Sequence, residues 1–375
     1  MRGAGAWPAV GTVGILGGGQ LARMLALAAA PLGVRCRVLD PDPDPPAAVA
    51  AAAVRGAYDD AAALAALAHG VDVVTWEFEN VPVASARALA RTVPVHPAPE
   101  ALEVAQDRLA EKEFFRRVGL ETPAFAGVAS RAELDAAVAR LGLPAVLKTR
   151  RMGYDGKGQQ VLRAAEDVGP AWDAIGPDGP LLLEAFVPFR RELAVLAVRG
   201  RGGATACWPV VETEHRAGIL RRASAPAPDL APALARAAEE LARRLLDALA
   251  YTGVLALELF EADGRLLANE MAPRVHNSGH WTIEGAETSQ FENHLRAVLG
   301  LPIGPTAARG HAAMLNLIGT LPDAAAVLGV PAAHLHLYGK TPRPGRKLGH
   351  VTVRADTAAD AAAACARLAA IVGGS

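Results

Sequence analysis

Two apolar segments that each carry a single acid at their centre or end place the tightest constraint on this chain. Leu255-Ala256-Leu257-Glu258-Leu259-Phe260 and Arg265-Leu266-Leu267-Ala268-Asn269-Glu270 flank the turn sequence Ala262-Asp263-Gly264, so together they read as a β-hairpin. A carboxylate set in such a strand costs free energy unless something compensates it. Pairing the strands predicts Glu258 and Glu270 on one face, either as salt-bridged structural acids or as joint ligands of a hard cation such as Mg2+. The run from Met271 through Pro273, Arg274, Val275, His276, Asn277, Ser278, Gly279 and His280 to Trp281 then adds a guanidinium and several small-anion donors. Core packing has no need of such a string.

The 375 residues suffice for two or three domains with a sizeable core. A net charge of −1 removes any electrostatic case for nucleic acid or an anionic membrane. Cys36, Cys207 and Cys365 are isolated and odd in number, which fits a reduced, cytoplasmic setting. No apolar run reaches membrane-span length, and residues 1–9 are expected to form a loose tail without a signal-peptide core.

Strands at Val10–Leu16, Arg35–Asp40 and Val71–Glu77, alternating with helices, predict a parallel, doubly wound sheet in residues 10–105. Its first turn, Gly17-Gly18-Gly19-Gln20-Leu21-Ala22, opens a helix as a phosphate-binding turn does, and Asp40 ends the next strand as a ribose-binding acid does. A dinucleotide site and a site for another ligand phosphate both fit. Prolines at 94, 97 and 99 mark a linker, after which a helix is expected over Glu100–Val118. Residues 106–305 form the expected central domain, with strands Pro144–Thr149 and Leu181–Val187, a β-rich stretch at 192–212 and a long helix at Leu230–Leu249. Residues 306–375 read as a small α/β unit. His334 and His336 alternate on a strand without a third ligand and read as structural.

Basic residues comprise 33 Arg and five Lys. A Lys retained against that bias suits a position that needs a compact ammonium. Lys148 ends an apolar strand, and Gly153-Tyr154-Asp155-Gly156-Lys157-Gly158-Gln159 follows five residues on; its glycines permit backbone N–H groups to wrap phosphate oxygens. The segment lacks the ending of a P-loop. Lys112 reads as an ordinary helix-face residue.

The order of strand lysine, glycine flap, Glu184-Ala185-Phe186-Val187, Glu192 and the Glu258/Glu270 pair resembles the ATP-grasp superfamily. That resemblance implies an N-terminal Rossmann-like domain, a two-part ATP-grasp domain and a small C-terminal α/β domain. It implies that ATP is held by Arg108, Lys148, residues 153–159, Glu184 to Val187 near adenine, Glu192 at the ribose, His215, Asn269 and Glu270. Mg2+ would then lie on Glu258 and Glu270. Further motifs, Gly17 to Met24, Thr75 to Pro82, Lys148 to Gln159, 269–281 and Arg343-Pro-Gly-Arg-Lys-Leu-Gly-His350, resemble the purine-biosynthetic branch that carboxylates an aminoimidazole ribonucleotide with bicarbonate through carboxyphosphate. For that branch, Arg274, His276 and Asn277 face bicarbonate, while Tyr154 and Asp155 face the amine. Gly19, Gln20, Glu77, Glu79, Asn80, Lys340, Arg346 and Lys347 are the expected ribonucleotide contacts; a solvated turn is the alternative for Arg346 and Lys347. The resemblance also implies a homodimer. Three rivals stand beside it: a formate-dependent glycinamide ribonucleotide transformylase of the same superfamily, an NAD-dependent dehydrogenase, and a nucleotide-binding regulator without turnover.

Overall fold

The computed structural model describes residues 11–153, 156–177 and 179–373. Near the N-terminus, strands β1 (Thr12–Leu16), β2 (Arg35–Asp40), β3 (Ala52–Arg55) and β4 (Val73–Trp76) form a parallel sheet in the order β3-β2-β1-β4. Near-continuous apolar strands suit a sheet covered on both faces. Val13, Ile15 and Val38 are fully buried on one side with the helix Gln20–Ala29, and Leu16, Leu39 and Val74 on the other with Leu64 and Leu67.

The helix expected over Glu100–Val118 is two helices, Pro99–Ala105 and Arg108–Arg117. The break lies at Asp107, whose carboxylate accepts the Leu109 N–H at 3.0 Å and so starts a new helix. The same carboxylate receives a forked pair of bonds from Arg150, Nε at 2.9 Å and Nη2 at 2.7 Å, which ties the helix start to the strand preceding the glycine segment.

Strands β5 (Phe125–Val128), β6 (Ala145–Thr149), β7 (Gln159–Leu162) and β8 (Leu181–Ala185) form an antiparallel sheet in the order β5-β8-β6-β7. Lys148 and Gln159, at either end of the glycine segment, are register partners in it.

Strands β9 (Arg191–Arg199), β10 (Thr205–Cys207), β11 (Val211–Arg216), β12 (Ile219–Ala225), β13 (Gly253–Ala262) and β14 (Arg265–Ala272) belong to a nine-stranded sheet among the described residues. The sheet continues through β15 (His311–Ile318), β17 (Lys347–Ala355) and β16 (Ala333–Leu337), so the C-terminal strands extend the central sheet across the β12–β15 pairing. The amphipathic helix Pro232–Ala248 seals one face with Ala238, Ala242, Leu245 and Leu246, all fully buried. The helix Gln290–Leu299 covers the opposite face and also meets the N-terminal helix Gln20–Ala29, joining the two regions in one core.

Candidate active site

In the hairpin β13–β14, Glu258 lies directly opposite Glu270, and the register slips between Glu258 and Leu259. Asn269 is the extra residue of that bulge. A bulge turns consecutive side chains to one side, which an undistorted strand cannot do. Asn269 and Glu270 therefore both face the cleft, beside Glu258.

The electrostatics of this pair are asymmetric. Burial, and then the neighbouring Glu270, push the Glu258 carboxyl up to about 7. Burial also works against Glu270, but the Arg108 guanidinium outweighs it and holds this carboxyl at about 2. Arg108 Nη1 donates to Glu270 Oε2 at 2.9 Å, and Nη2 donates to the Gly153 carbonyl at 3.3 Å. One guanidinium thus links the acid pair to the start of the glycine segment.

Two adjoining cavities, about 490 and about 300 Å³, share Arg108, Glu270, His276, Asn277 and Lys347 as common wall. The smaller is lined by Val146, Val161, Phe186, Leu220 and Phe260, with Lys148, Gly156, Gln159, Glu192, His215, Glu258 and Asn269. A lining that combines these apolar side chains with many convergent polar and charged groups suits a flat heterocycle with a charged tail. Burial works against charge on His215, yet its 2.9 Å bond to Glu192 and the nearby Glu258 carry its pKa above the ordinary value.

Gln20, Glu77, Phe78, Glu79, Asn80, Gln106, Glu111, Met152, Gly153 and Arg274 line the larger cavity. Arg274 forms a mostly buried ion pair with Glu79 through Nε and donates to the Val275 carbonyl at 3.0 Å. The Trp76 indole donates to the Pro273 carbonyl at 3.0 Å, so the end of β4 and the loop after it hold this segment at two points.

His276 is fixed through its backbone. Gln290, fully buried, accepts the His276 N–H at 2.8 Å and donates to the His276 carbonyl at 2.7 Å. Burial, with Arg274 and Lys347 close by, lowers the ring's pKa to about 3, so the imidazole stays neutral. The Asn277 amide pairs reciprocally with that of Asn316, at 3.0 and 2.6 Å.

Several expected contacts take other roles. At the helix start after Gly19, three amides are already engaged. Glu77 accepts the N–H of Gly19 at 2.5 Å and those of Leu21 and Ala22 at 3.0 Å, filling the place expected for a phosphate. A Cβ at Gly19 would collide with the Glu77 carboxylate, which explains the glycine. Asp40 is similarly engaged, by the Gly18 N–H at 2.7 Å and the Tyr58 hydroxyl at 2.9 Å, which leaves the dinucleotide reading without its ribose acid. Gln20 lines the larger cavity and binds Lys340. Arg346 donates to Thr341 in its own loop at 3.1 Å, whereas Lys347 lines both cavities. The basic knot is therefore divided.

Glu184 is buried, with its carboxylate bridging Lys112 and Lys148. It turns away from the smaller cavity, where Phe186 of the same segment projects instead. Lys112 is no helix-face residue, being 2 % exposed. Ala185 and Val187 are half-buried, and Lys157 and Gly158 stand outside both cavity linings. Tyr154 and Asp155 lie outside the described residues. His336 bonds Glu284 at 2.7 Å and stacks on His350 with ring centres 4.4 Å apart. Sequence reasoning missed Lys112, Glu111, Gln290 and Asn316; the first two stand beside Arg108 in Asp107-Arg-Leu-Ala-Glu-Lys112, whereas nothing local marks the others.

Residues 113–291 match the ATP-grasp domain, residues 10–106 the ribonucleotide synthetase preATP-grasp domain, and residues 312–364 the phosphoribosylaminoimidazole carboxylase C-terminal domain. The N5-carboxyaminoimidazole ribonucleotide synthase of Pseudomonas aeruginosa is 53% identical over 357 residues, covering 95% of this chain and 97% of that one. This chain belongs to the N5-carboxyaminoimidazole ribonucleotide synthase family. A crystal structure of the synthetase from Thermus thermophilus is 55% identical, with a TM-score of 0.92 over 96% of this chain and 98% of that one. The Aspergillus clavatus synthase in complex with ADP and 5-aminoimidazole ribonucleotide is 36% identical, with a TM-score of 0.91 over 97% and 99% of the two chains. Membership in the synthase family sets aside the dehydrogenase and formate-dependent readings.

Proposed function

We propose that the chain carboxylates the exocyclic amine of 5-aminoimidazole ribonucleotide, using ATP and bicarbonate and releasing ADP and phosphate. One observation carries this reading: Glu270, His276 and Asn277 form a common wall between a cavity that reaches the acid pair and a larger chamber. A reaction that passes phosphate and then carboxylate from one chamber to the other needs such a wall.

ATP occupies the smaller cavity, its ring between Val146, Val161 and Phe186, its ribose at Glu192 and His215, and its phosphates near Lys148 and the glycine segment. The residues fit Mg2+, because two adjacent carboxylates, one of them driven up by burial and then by the other, are relieved by a hard cation. When bound against the phosphates, that ion supplies charge neutralisation for phosphoryl transfer.

Bicarbonate lies at Arg274, His276 and Asn277. Its oxygen attacks the γ-phosphorus while the bond to ADP breaks, giving carboxyphosphate. Arg274 and the neutral His276 bind the developing charge without taking up a proton. The amine nitrogen then bonds to the carboxyl carbon as phosphate leaves, and its proton passes to Asp155. Glu79 orients Arg274, while Asn80, Gln20, Lys340 and Lys347 hold the ribonucleotide in the larger cavity. Excluding water protects carboxyphosphate, a task for the glycine segment.

We assign substrate recognition to residues 10–105, nucleotide binding to 106–305 and the third unit to 306–375. A cytoplasmic homodimer completes the reading; Cys36 and Cys365 are buried and unpaired, and no helix among the described residues is long and apolar enough to cross a membrane. The test is a substrate-dependence assay. ADP release should require bicarbonate together with aminoimidazole ribonucleotide; release that requires formate and glycinamide ribonucleotide would overturn the proposal.

A further inference from the structure

Three ionisable side chains are packed behind the smaller cavity, where burial lowers the pKa of Lys112 and the Glu184 carboxylate works against that loss of charge. Lys112 Nζ lies 2.6 Å from Glu184 Oε1, and Lys148 Nζ pairs with Oε2 of the same carboxylate. Lys112 also donates to the Ala268 carbonyl at 3.2 Å, next to Asn269 at the bulge. The side chains of Lys112 and Glu184 are 2 % and 5 % exposed, and that of Lys148, which alone reaches the cavity, is 12 % exposed. Charge balance distinguishes this arrangement from an ordinary ion pair. Glu184 with Lys148 alone would be neutral, and so would attract phosphate oxygens only weakly. The second lysine leaves the triad with one net positive charge, presented at the cavity wall by Lys148.

We propose that Lys112 is a positioning residue that offsets Glu184, so that the carboxylate anchors Lys148 without cancelling its charge towards the nucleotide. The inference rests on the cleft being the nucleotide site. Anchoring a flexible lysine by a buried carboxylate limits the rotamers it samples, and the cost of that anchor is a negative charge beside the phosphates. Lys112 removes this cost from the far side, where no ligand reaches. An ammonium suits the role because it is compact enough for a buried helix position; this is one of five Lys retained against 33 Arg.

The test is a cycle of Lys112→Met, Glu184→Gln and the double variant, with ADP affinity measured by calorimetry and melting temperature recorded alongside. Lys112→Met should weaken ADP about tenfold and leave the ribonucleotide KM within about twofold, since the triad becomes neutral. In the double variant Lys148 again supplies one uncancelled charge, and ADP affinity should return to within about threefold of the parent. A purely structural Lys112 predicts no such recovery. If Lys112→Met does not fold, Glu184→Gln compared with the double variant keeps the proposal testable, because loss of Lys112 should still weaken ADP there. Unchanged ADP affinity on removing Lys112 in every background that folds, with only the melting temperature lowered, would overturn it. Failure of the parent protein to bind ADP would instead overturn the assignment of the cleft.

Discussion

Glu270→Gln is the most informative single substitution, because the structure predicts two separable effects. Holding Glu258 ionised beside Glu270 in a buried wall is unfavourable: its carboxyl is raised from 4.5 to about 7. At about 1.4 kcal/mol per pKa unit, that corresponds to roughly 3 kcal/mol. On the proposed reading Mg2+ displaces this proton, so its apparent affinity should fall about tenfold per pH unit below about 7. Removing Glu270 deletes one of the two carboxylates proposed to hold the ion, and turnover should drop by roughly 100-fold or more. It also deletes the repulsion, so the pH at which Mg2+ affinity begins to fall should move down. The assay is ADP-coupled turnover at varied Mg2+ over about pH 5.5 to 8.5. A variant that loses turnover but keeps the parent's pH break would refute the coupling between the two acids.

Arg274→Lys removes the Nε bond to Glu79 and the Nη1 bond to the Val275 carbonyl, and on the proposed reading should lower kcat by about 100-fold while changing the KM for ATP little; equal losses in both would contradict its placement. Asn316→Ala frees Asn277 from its reciprocal amide pair, and should lower kcat by roughly tenfold in steady-state assays without moving the melting temperature by more than a few degrees. Lys340→Ala should raise the ribonucleotide KM alone, whereas Lys347→Ala should raise the KM of both nucleotides, because Lys347 lines both cavities. Glu184 has its pKa lowered from 4.5 to about 2 by Lys148 and Lys112 against the opposing effect of burial. Its stabilising contribution, of the order of 3 kcal/mol, is present above about pH 4.5 and lost as pH falls towards about 2. Acid unfolding of Glu184→Gln should therefore be shallower over that window than in the parent.

Much of this architecture was legible from the chain because it rests on local periodicity. Strand β2 has the bounds that its apolar pattern gives, and Asp263-Gly264 turns the hairpin that pairs Glu258 with Glu270. The bulge that aims Asn269 and Glu270 together was not legible, since one unpaired residue leaves no signature in an apolar run. Reading Glu100–Val118 as one helix failed because Asp107 is both an acceptable helix residue and a strong cap, and only its position against Arg150 decides between these. The glycine turn misled for a related reason. Its amides were free on paper, but the carboxylate that fills them comes from Glu77, at the end of a different strand. Lys112 looked exposed because its partner Glu184 is 72 residues away, and long-range ion pairs have no local pattern.

The proposed activation of bicarbonate by ATP, at the wall that includes Glu270, His276 and Asn277 with Arg274 beside it, is the step on which every assigned role depends. Turnover with 18O-labelled bicarbonate tests this most directly, by mass spectrometry of the phosphate released. Transfer of one bicarbonate oxygen to each phosphate is the expected result. Phosphate that carries no label, with aminoimidazole ribonucleotide still carboxylated, would contradict it.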